Sequence, residues 1–534
     1  MTVYVPEEFT EPEADILRRY FSNLDGPVFA LVNLPEVVKG ALFARYSRSP
    51  KSLRRLFLDE FVGDLDISGD LTVDATIGVD RAEELYEKVF VEYGDDSVAQ
   101  LGGVHLACEQ ASNILTKVLE WGRLMSYLEQ STRYISYDSR LGGRYRFYRD
   151  PAVLSSGFGT RYVGDMDRMF DSYSLLVDKV TEHVRATADR APGVSDFVFR
   201  QATRAKGLDA VRGVLPAASL SNLGIYGSGQ AFEALLLRMR AHPLPEAQQY
   251  AELMLHELRK VIPSFLRRVD LPERGGRWSN YLATTRSQTA AMVEQLFGGT
   301  PVSHAAEVEL VDWDPEGENK LLAAICYPHT NLPESQIIDR VAALSADERL
   351  ALVRAYVGER ENRRHRPGRA FERIDYRFDV VSDYGAFRDL QRHRMLTIDW
   401  QPLTPNHGYV RPDLIDSAGL AFVFDDAMAR SAALYDALRH DFPHQASYAV
   451  SMAYRLRYSM QFNAREAMHM LELRSSPQGH PAYRRIALEM HRLIAEKAGH
   501  HAVAAAMSFM TVDAPELERL ESEQRAEARR GQQN

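Results

Sequence analysis

Hydrophobic positions recur at helical spacing along most of the chain. The clearest segments are Ala111–Leu128 and Ser451–Leu473, where apolar residues stand three and four positions apart. We therefore predict that both segments are helical. Short apolar runs that are typical of strands occur at Val28–Val32, Val308–Trp313 and Tyr376–Val381. Several helices around small sheets indicate an α+β (mixed α/β) fold.

The order of segments repeats in the two halves of the sequence. Phe29–Ser47 is followed by helical patterns and then by Glu109–Arg123, while Val308–Pro328 is followed by helical patterns and then by Val380–Arg394. The two later segments align when Arg123 is placed over Arg394. We infer a tandem duplication whose copies have diverged.

A second correspondence lies further along each half. Arg212–Pro216 leads into a helical pattern that contains Arg240, and His440–Pro443 leads into one that contains Arg474. Between the halves, Asp270–Val302 is polar and rich in turn-forming residues. These features predict an N-terminal copy at 1–275, a linker at 276–302, a C-terminal copy at 303–514 and a charged tail at 515–534.

Composition and charge argue against several classes of protein. The 534 residues are 45% hydrophobic and 26% charged, as in ordinary globular proteins. The net charge of −10 argues against a nucleic-acid partner. No apolar run reaches the roughly 18 residues of a membrane span, and the first ten residues lack a signal-peptide pattern. With only two cysteines, Cys108 and Cys326, we exclude a disulfide framework and predict a cytoplasmic protein.

The first chemically informative stretch ends with Ser131 and Arg133. On an extended segment, side chains two residues apart lie on one face. A hydroxyl beside a forked, permanently charged guanidinium suits a phosphate or a pyrimidine edge. Glu129 and Gln130 add a carboxylate and an amide next to them. The alternative interpretation is a helix end whose polar groups cap the backbone.

Two later stretches also combine cationic and polar side chains. Arg388–Arg394 ends with three consecutive cationic or titratable residues, which can bind a pyrophosphate or an electron-rich ring. The alternative is a solvated basic helix end stabilised by the helix dipole. Asn463, His469 and Arg474 fall in one helical sector, although each taken singly is typical of a structural polar contact.

Together the three stretches resemble the flavin-dependent thymidylate synthases, the ThyX family. That family carries the signature R-H-R-x-x-S-x-N-x-x-S-x-R-Y, a later A-R-x-x-L-P, and a helix N-A-R-x-x-x-(N/H)-F-x-x-L-R. The resemblance covers most of both halves, and the motifs occur in the family order.

Each half keeps a different part of this signature. The N-terminal copy keeps Arg123, Ser126, Ser131, Arg133 and Tyr134 but has Trp121, Gly122 and Leu128 in place of the leading Arg-His and the Asn. The C-terminal copy keeps Arg392, His393 and Arg394, has Thr397 and Asp399 for the first Ser and the Asn, and has lost the S-x-R-Y end to Pro402, Thr404 and Pro405. The helix motif is kept at Asn463, His469 and Arg474, whereas in the N-terminal copy Gly229 replaces Asn and only Arg240 remains.

The resemblance implies a division of labour between the halves. The residues implied to bind FAD are Arg392, His393, Arg394, Asn463, Arg465 and His469. Those implied to bind a pyrimidine nucleotide are Glu129, Gln130, Ser131, Arg133, Arg212 and Arg474, of which Ser131, Arg133 and Arg474 are the catalytic candidates. Because family sites combine residues of several subunits, we expect the halves to pool these side chains and two chains to form a homodimer equivalent to a tetramer.

The reaction implied by the resemblance is reductive methylation of dUMP to dTMP. In the family NADPH reduces FAD, methylenetetrahydrofolate supplies one carbon, and the flavin delivers hydride. No enzyme nucleophile is required, and both cysteines lie in apolar surroundings typical of packed residues. No histidine pair has the short helical spacing of a zinc site, so we predict no metal. The alternatives are a flavin enzyme acting on another pyrimidine nucleotide and a non-catalytic flavin- or nucleotide-binding homologue.

Overall fold

The chain folds into two compact units, and each unit contains segments from both halves of the sequence. The computed structural model describes residues 4–62, 100, 102–190, 192–302 and 306–513, with isolated positions beyond. Unit 1 consists of Met1–Ser174, Leu215–Val302 and Ala429–Val450, and unit 2 of Leu175–Val214, Ser303–Met428 and Ser451–Asn534. The predicted tail at 515–534 lies largely outside the described residues.

Each unit is built on a four-stranded antiparallel sheet. In unit 1 the order is β1-β2-β4-β3, with strands β1 (Val28–Leu31), β2 (Gly103–Ser112), β3 (Met125–Glu129) and β4 (Leu220–Ser228). In unit 2 the order is β5-β6-β8-β7, with strands β5 (Val308–Trp313), β6 (Asp375–Asp383), β7 (Thr397–Trp400) and β8 (Arg455–Asn463). The two sheets therefore have the same topology, as the duplication predicts.

The described helices surround these sheets. Those of the N-terminal half are α1 (Glu11–Leu17), α2 (Glu36–Tyr46), α3 (Leu53–Glu60), α4 (Asn113–Leu119), α5 (Pro151–Ser155), α6 (Gly159–Thr187), α7 (Asp196–Val211), α8 (Gly229–Arg240), α9 (Pro245–Arg259) and α10 (Arg277–Phe297). Those of the C-terminal half are α11 (Gly317–Cys326), α12 (Glu334–Ala342), α13 (Ala346–Val357), α14 (Tyr384–Leu390), α15 (Asp413–Ser417), α16 (Ala421–Leu438), α17 (Ala464–Arg474), α18 (Pro481–Glu496) and α19 (His501–Ala506). None of them combines the length and apolar character that a membrane span requires.

Two different alignments are needed to superimpose the elements of the copies. In the first alignment, which places Arg123 over Arg394, α4 and α14 begin and end at matching positions. Strands β4 and β8 match only in a second alignment, which places Leu220 over Arg455. The separation between equivalent residues is shorter in the second alignment. It therefore changes between these two points, in the stretch that contains α6 and α16.

Side chains that alternate between the two faces of the strands contribute to the hydrophobic cores. In β8, Leu456, Tyr458, Met460 and Phe462 are buried while the residues between them are not. In unit 1 the apolar side chains of α1, α2 and α3 pack with β1 and β2 in one cluster, which includes Leu17, Phe29, Leu31, Leu42, Phe57 and Ala107.

The three predicted strands are confirmed, whereas two predicted helices are wrong. Ala111–Leu128 contains the end of β2, the short helix α4 and most of β3. Ser451–Leu473 contains β8 followed by α17. Strand β2 lies inside its sheet and is buried almost continuously, so its side chains show no two-residue period. In Arg455–Asn463 the two-residue period is present in the sequence and favours the strand that is observed.

The predicted turn-rich linker is mostly helical. Within Asp270–Val302, α10 runs for 21 residues, and none of its side chains is buried. A short π-helix, Pro272–Gly276, comes directly before α10, and the chain turns at Gly298 and Gly299 after it.

The buried face of β6 allows a direct test of the unit 2 core. Phe378 is fully buried, whereas its neighbour Arg377 points the other way and forms a surface ion pair. We expect Phe378→Ala to lower the free energy of unfolding by about 3–5 kcal/mol, because the truncated side chain leaves a cavity, and Arg377→Ala to change it by less than about 1 kcal/mol. Urea unfolding followed by circular dichroism measures both. Equal effects would show that β6 does not face the core as described.

Candidate functional site

Helix α14 places the C-terminal basic motif in a buried position. The helix is capped by Asp383, whose carboxylate accepts a hydrogen bond from the Ala386 N–H at 2.9 Å. It ends at Leu390, so the motif residues that follow lie in the turn before β7. Arg388 and His393 are only 5% and 7% exposed. The alternative of a solvated basic helix end is therefore wrong for these residues, although Arg394 is exposed.

The carboxylate of Asp389 holds three guanidinium groups within unit 2. Arg212 Nη1 donates to Asp389 Oδ2 at 3.3 Å, and Arg392 Nη2 is paired with Oδ1. Arg474 Nη1 lies 4.0 Å from Oδ1, and its Nη2 donates to the Asp389 carbonyl oxygen. The buried carboxylate of Asp383 also acts on Arg212. Two carboxylates against three permanent cations still leave the cluster with an excess of positive charge.

The guanidinium group of Arg212 does not use all of its hydrogen-bond donors. Its Nε and Nη2 atoms are buried and have no hydrogen-bond partner among the described residues. Both lie against Gly385, where a Cβ atom would approach each of them to 3.2 Å. Because buried donors are nearly always satisfied, two bare guanidinium nitrogens indicate an acceptor supplied from outside the described chain. Arg212 comes from the N-terminal half, so this cluster combines both halves of the sequence.

His393 is held as a neutral ring with a defined tautomer. Its Nε2 accepts from Arg474 Nε at 2.9 Å, so the proton is on Nδ1, which donates to Glu466 Oε1 at 3.1 Å. Burial, with Arg474 as the next cause, holds the pKa of His393 well below its usual range. Burial raises the pKa of Glu466 to about 7.

His469 lies beside this pair. Its ring centre is 5.5 Å from that of His393, and Arg366 Nη2 lies 3.2 Å from its Nδ1. Burial, followed by Arg366, lowers the pKa of His469 to about 4.

Among the described residues, His393, Glu466 and His469 also meet the geometry of a metal site, with one ligand atom of each within 4.8 Å of the others. The spacing of histidine pairs does not reveal this trio, because its third member is the carboxylate of Glu466. The surrounding charge disfavours a cation, since arginines at 366, 394, 465 and 474 all act on these groups. We interpret the Glu466–His393 contact as a hydrogen bond that orients the ring.

Two further predicted cofactor residues have structural partners. Asn463 is the N-cap of α17, and its side-chain oxygen accepts from the Glu466 N–H at 2.9 Å. Arg465 donates to the Pro367 carbonyl at 3.0 Å and pairs with Glu372 at 3.2 Å. The structure therefore brings Arg392, His393 and His469 together and directs Arg465 to other contacts.

The N-terminal motif lies in unit 1 and has a different shape from the one predicted. Ser131 begins a turn in which its carbonyl accepts from the N–H groups of Tyr134 and Ile135, both at 3.1 Å. The extended segment assumed for Ser131 and Arg133 is therefore wrong. The turn instead brings the Arg133 N–H to 3.3 Å from the Ser131 hydroxyl, and Arg133 is 9% exposed.

Glu129 and Gln130 are used inside unit 1. Lys117 Nζ donates to Glu129 at 3.1 Å and is also paired with Glu120, with all three side chains buried. Gln130 Nε2 donates to the Ser49 carbonyl at 2.6 Å. Both predicted nucleotide contacts therefore support the turn from within the protein.

The two copies differ in whether acidic side chains stand next to the cation at equivalent positions. In the first alignment Lys117 corresponds to Arg388, and its partners Glu120 and Glu129 correspond to Gln391 and Trp400. The N-terminal copy neutralises its cation internally, whereas the C-terminal copy has no acid at either position. The two acids that neutralise Lys117 therefore have no counterparts at the equivalent positions beside Arg388.

The structure also corrects the pairing of the later motifs. In the second alignment the counterpart of Asn463 is Ser228, which caps α8 as Asn463 caps α17. Arg474 corresponds to Met239, and Arg240 instead pairs with Glu252 and Asp270. The Arg212 position corresponds to Ser447, not to the segment His440–Pro443.

Comparison with known proteins identifies the family of this chain. The profile of the family described as "Thymidylate synthase complementing protein" matches residues 52–264 and 309–499. The chain belongs to this family. The two separate matches agree with the tandem duplication, and the family supports a thymidylate synthase-like function.

Relatives that span the whole chain carry no functional name. A UPF0159 protein of Chlamydia muridarum is 37% identical over 98% of this chain and 99% of its own length. One of Chlamydia pneumoniae is 38% identical over 91% and 92%, and one of Thermoplasma acidophilum 32% identical over 92% and 99%. The double-copy architecture is therefore shared by bacterial and archaeal proteins.

Two residues of the cluster were not predicted as site residues. Asp389 anchors the three arginines, and Glu466 orients His393. Each stands inside a motif already noticed, Arg388–Arg394 and Asn463–Arg474. An acid among several cations was the available signal.

Acid unfolding tests the buried state of His469. Its pKa in the folded chain is about 4, below the roughly 6.5 of an exposed histidine, so the unfolded chain binds more protons between these values. The stability associated with the neutral ring is complete above about pH 6.5 and is lost as the pH falls toward 4. We expect His469→Gln to flatten the pH dependence of the unfolding midpoint in this window.

The exposed His440 offers the matched control, since His440→Gln should leave the profile unchanged. Glu466 acts in the opposite direction between about pH 4.5 and 7 and remains in both variants, so the comparison is between profiles. A His469→Gln profile that overlays the wild-type one would contradict the buried, neutral ring.

Proposed function

We propose that this chain is an FAD-dependent thymidylate synthase-like enzyme that methylates dUMP to dTMP, with methylenetetrahydrofolate as carbon donor and NADPH as reductant. The observation that carries the proposal is the guanidinium cluster around Asp389, with two bare donor atoms on Arg212. FAD and dUMP are both phosphate-bearing ligands, and arginine is the side chain best suited to phosphate oxygens.

The residues of unit 2 fit a bound flavin nucleotide. Arg392, His393 and His469 lie together, and Arg394, Asn463 and Arg465 occupy the remaining family positions. Bound FAD, once reduced by NADPH, would supply a hydride to the pyrimidine after the one-carbon unit has been transferred to it, which converts that unit into the methyl group. The protein would bind and orient it, with His393 offering a fixed, uncharged ring beside the cationic groups.

For the nucleotide we propose Arg212, Arg474, Ser131 and Arg133. Arg474 is oriented by His393 and by the Asp389 carbonyl, which fixes the direction of its guanidinium group. A fixed cation beside the pyrimidine carbonyl would stabilise the negative charge that develops during attack on the carbon donor. Glu129 and Gln130, already bonded within unit 1, would position the Ser131 turn. Two chains would form a homodimer.

Complementation tests the reaction. Expression of the chain in a host that requires thymidine should restore growth, and the purified protein should be yellow with a flavin absorbance band. A yellow protein that fails to rescue growth would overturn dUMP methylation in favour of another pyrimidine nucleotide. A colourless protein that binds no added FAD would contradict the flavin enzyme altogether.

Two arginine variants separate cofactor from nucleotide. We expect Arg392→Ala to weaken FAD binding by about 10- to 100-fold, because a charge-assisted hydrogen bond contributes about 1.5–3 kcal/mol. Arg133→Ala should keep FAD and weaken dUMP binding by a similar factor. Isothermal titration with each ligand measures both, and Arg439→Ala, in an exposed ion pair with Asp436, is the control. Equal loss of FAD in both variants would contradict the division of roles.

A further inference from the structure

Helix α10 carries several apolar side chains, and none of its residues is buried. It lies between the two family matches, the first of which ends at residue 264 and the second of which begins at 309. Trp278, Tyr281 and Leu296 are 59%, 64% and 64% exposed. Met292 and Phe297 are also more than half exposed. A helix of a folded protein usually buries such residues, so this surface indicates an additional contact.

One side of the helix already contacts unit 1. Ser279 Oγ donates to the Leu237 carbonyl at 3.3 Å, and Arg286 Nη1 donates to the Ala241 carbonyl at 2.6 Å. Serine and arginine seven positions apart share a helix face, and this face is turned by about 100° from the centre of the exposed apolar stripe. The stripe therefore points away from the contacts that fix the helix.

The exposed stripe has a regular spacing. Its residues are Trp278, Tyr281, Thr285, Thr289, Met292 and Leu296, all exposed except the half-buried Thr285. Steps of three and four residues keep them within an arc of about 80°, which is the seam of a two-helix contact.

The stripe is also nearly symmetric about Ser287. Trp278 and Leu296 each stand nine positions from it, and Thr285 and Thr289 each stand two positions from it. In an antiparallel pair of identical helices, residues at equal distances on either side of the centre meet. Bulky apolar side chains would then meet near both ends, and small threonines would meet in the middle. A two-fold contact of this kind is complementary to itself.

We propose that α10 packs antiparallel against α10 of a second copy of this chain, about a two-fold axis near Ser287. This identifies a contact surface for the homodimer included in the proposed function and does not depend on the reaction. The stripe contains two aromatic side chains, Trp278 and Tyr281, which are more than half exposed together with Met292 and Leu296. Aromatic side chains bury about 150–250 Å² each, so these four side chains and the two threonines offer about 600 Å² per chain. Two chains reach about 1,200 Å², the lower limit of a stable interface.

Cysteine cross-linking tests the geometry. In a Cys326→Ser background, which leaves only the buried Cys108, Thr285→Cys and Thr289→Cys chains are co-expressed, one of them tagged. We expect mild oxidation to give a covalent heterodimer, because the antiparallel pair brings position 285 of one chain to position 289 of the other. Each variant expressed alone should stay monomeric on a non-reducing gel. Ser287→Cys, on the opposite side of the helix, is the matched control and should not cross-link.

A charge variant tests the surface without a disulfide. Met292→Glu with Leu296→Glu should raise the dimer dissociation constant at least tenfold in analytical ultracentrifugation, while Ala290→Glu, on the far side, should not. A wild-type chain that stays monomeric would overturn both the homodimer and this surface. A dimer that neither cross-links nor responds to the glutamates would keep the homodimer and overturn this surface. Cross-linking by Thr285→Cys alone would overturn the antiparallel direction. Flavin content, measured alongside, reports separately on the proposed reaction.

Discussion

The contact on which unit 2 depends is that of one buried carboxylate with three guanidinium groups. Asp389 binds the side chains of Arg212 and Arg392, and its carbonyl accepts from Arg474. Removing the carboxylate would leave several buried cations without compensation, a change that is strongly destabilising. Because Arg212 belongs to the N-terminal half, the same contact also fixes a segment of the first copy among elements of the second.

The two copies differ in charge at equivalent helices, α4 in the first copy and α14 in the second. In the first copy two glutamates neutralise Lys117, which gives a closed, internally satisfied cluster. In the second copy the acids are absent from the equivalent positions, and three arginines share the carboxylate of Asp389. An excess of buried positive charge destabilises the chain by itself, and a bound anion would compensate it through charge-assisted hydrogen bonds. Both copies contribute cations to this cluster, since Arg212 comes from the first and Arg392 and Arg474 come from the second.

The sequence predicted the duplication, the three strands and the grouping of Arg392, His393 and His469. It did not predict β2, because a strand buried on both faces lacks the two-residue period. It missed Asp389 and Glu466, since spacing along the chain shows neither which cation an acid will meet nor that the partner is buried. It also misplaced the counterparts of Arg212 and Asn463, because the separation between equivalent residues changes along the chain and sequence spacing does not fix it to the residue. Such a shift becomes visible only when strands are matched in register.

The exchange of segments between the units has a consequence for biosynthesis. Unit 1 requires Ala429–Val450, so it stays incomplete until most of the chain has left the ribosome. Leu175–Val214 is synthesised early, but the segments of unit 2 with which it packs are synthesised later. During that delay the apolar faces of an unfinished core are exposed to other nascent chains. The architecture therefore favours late, concerted folding, because neither core can be completed before the last of its segments has been synthesised.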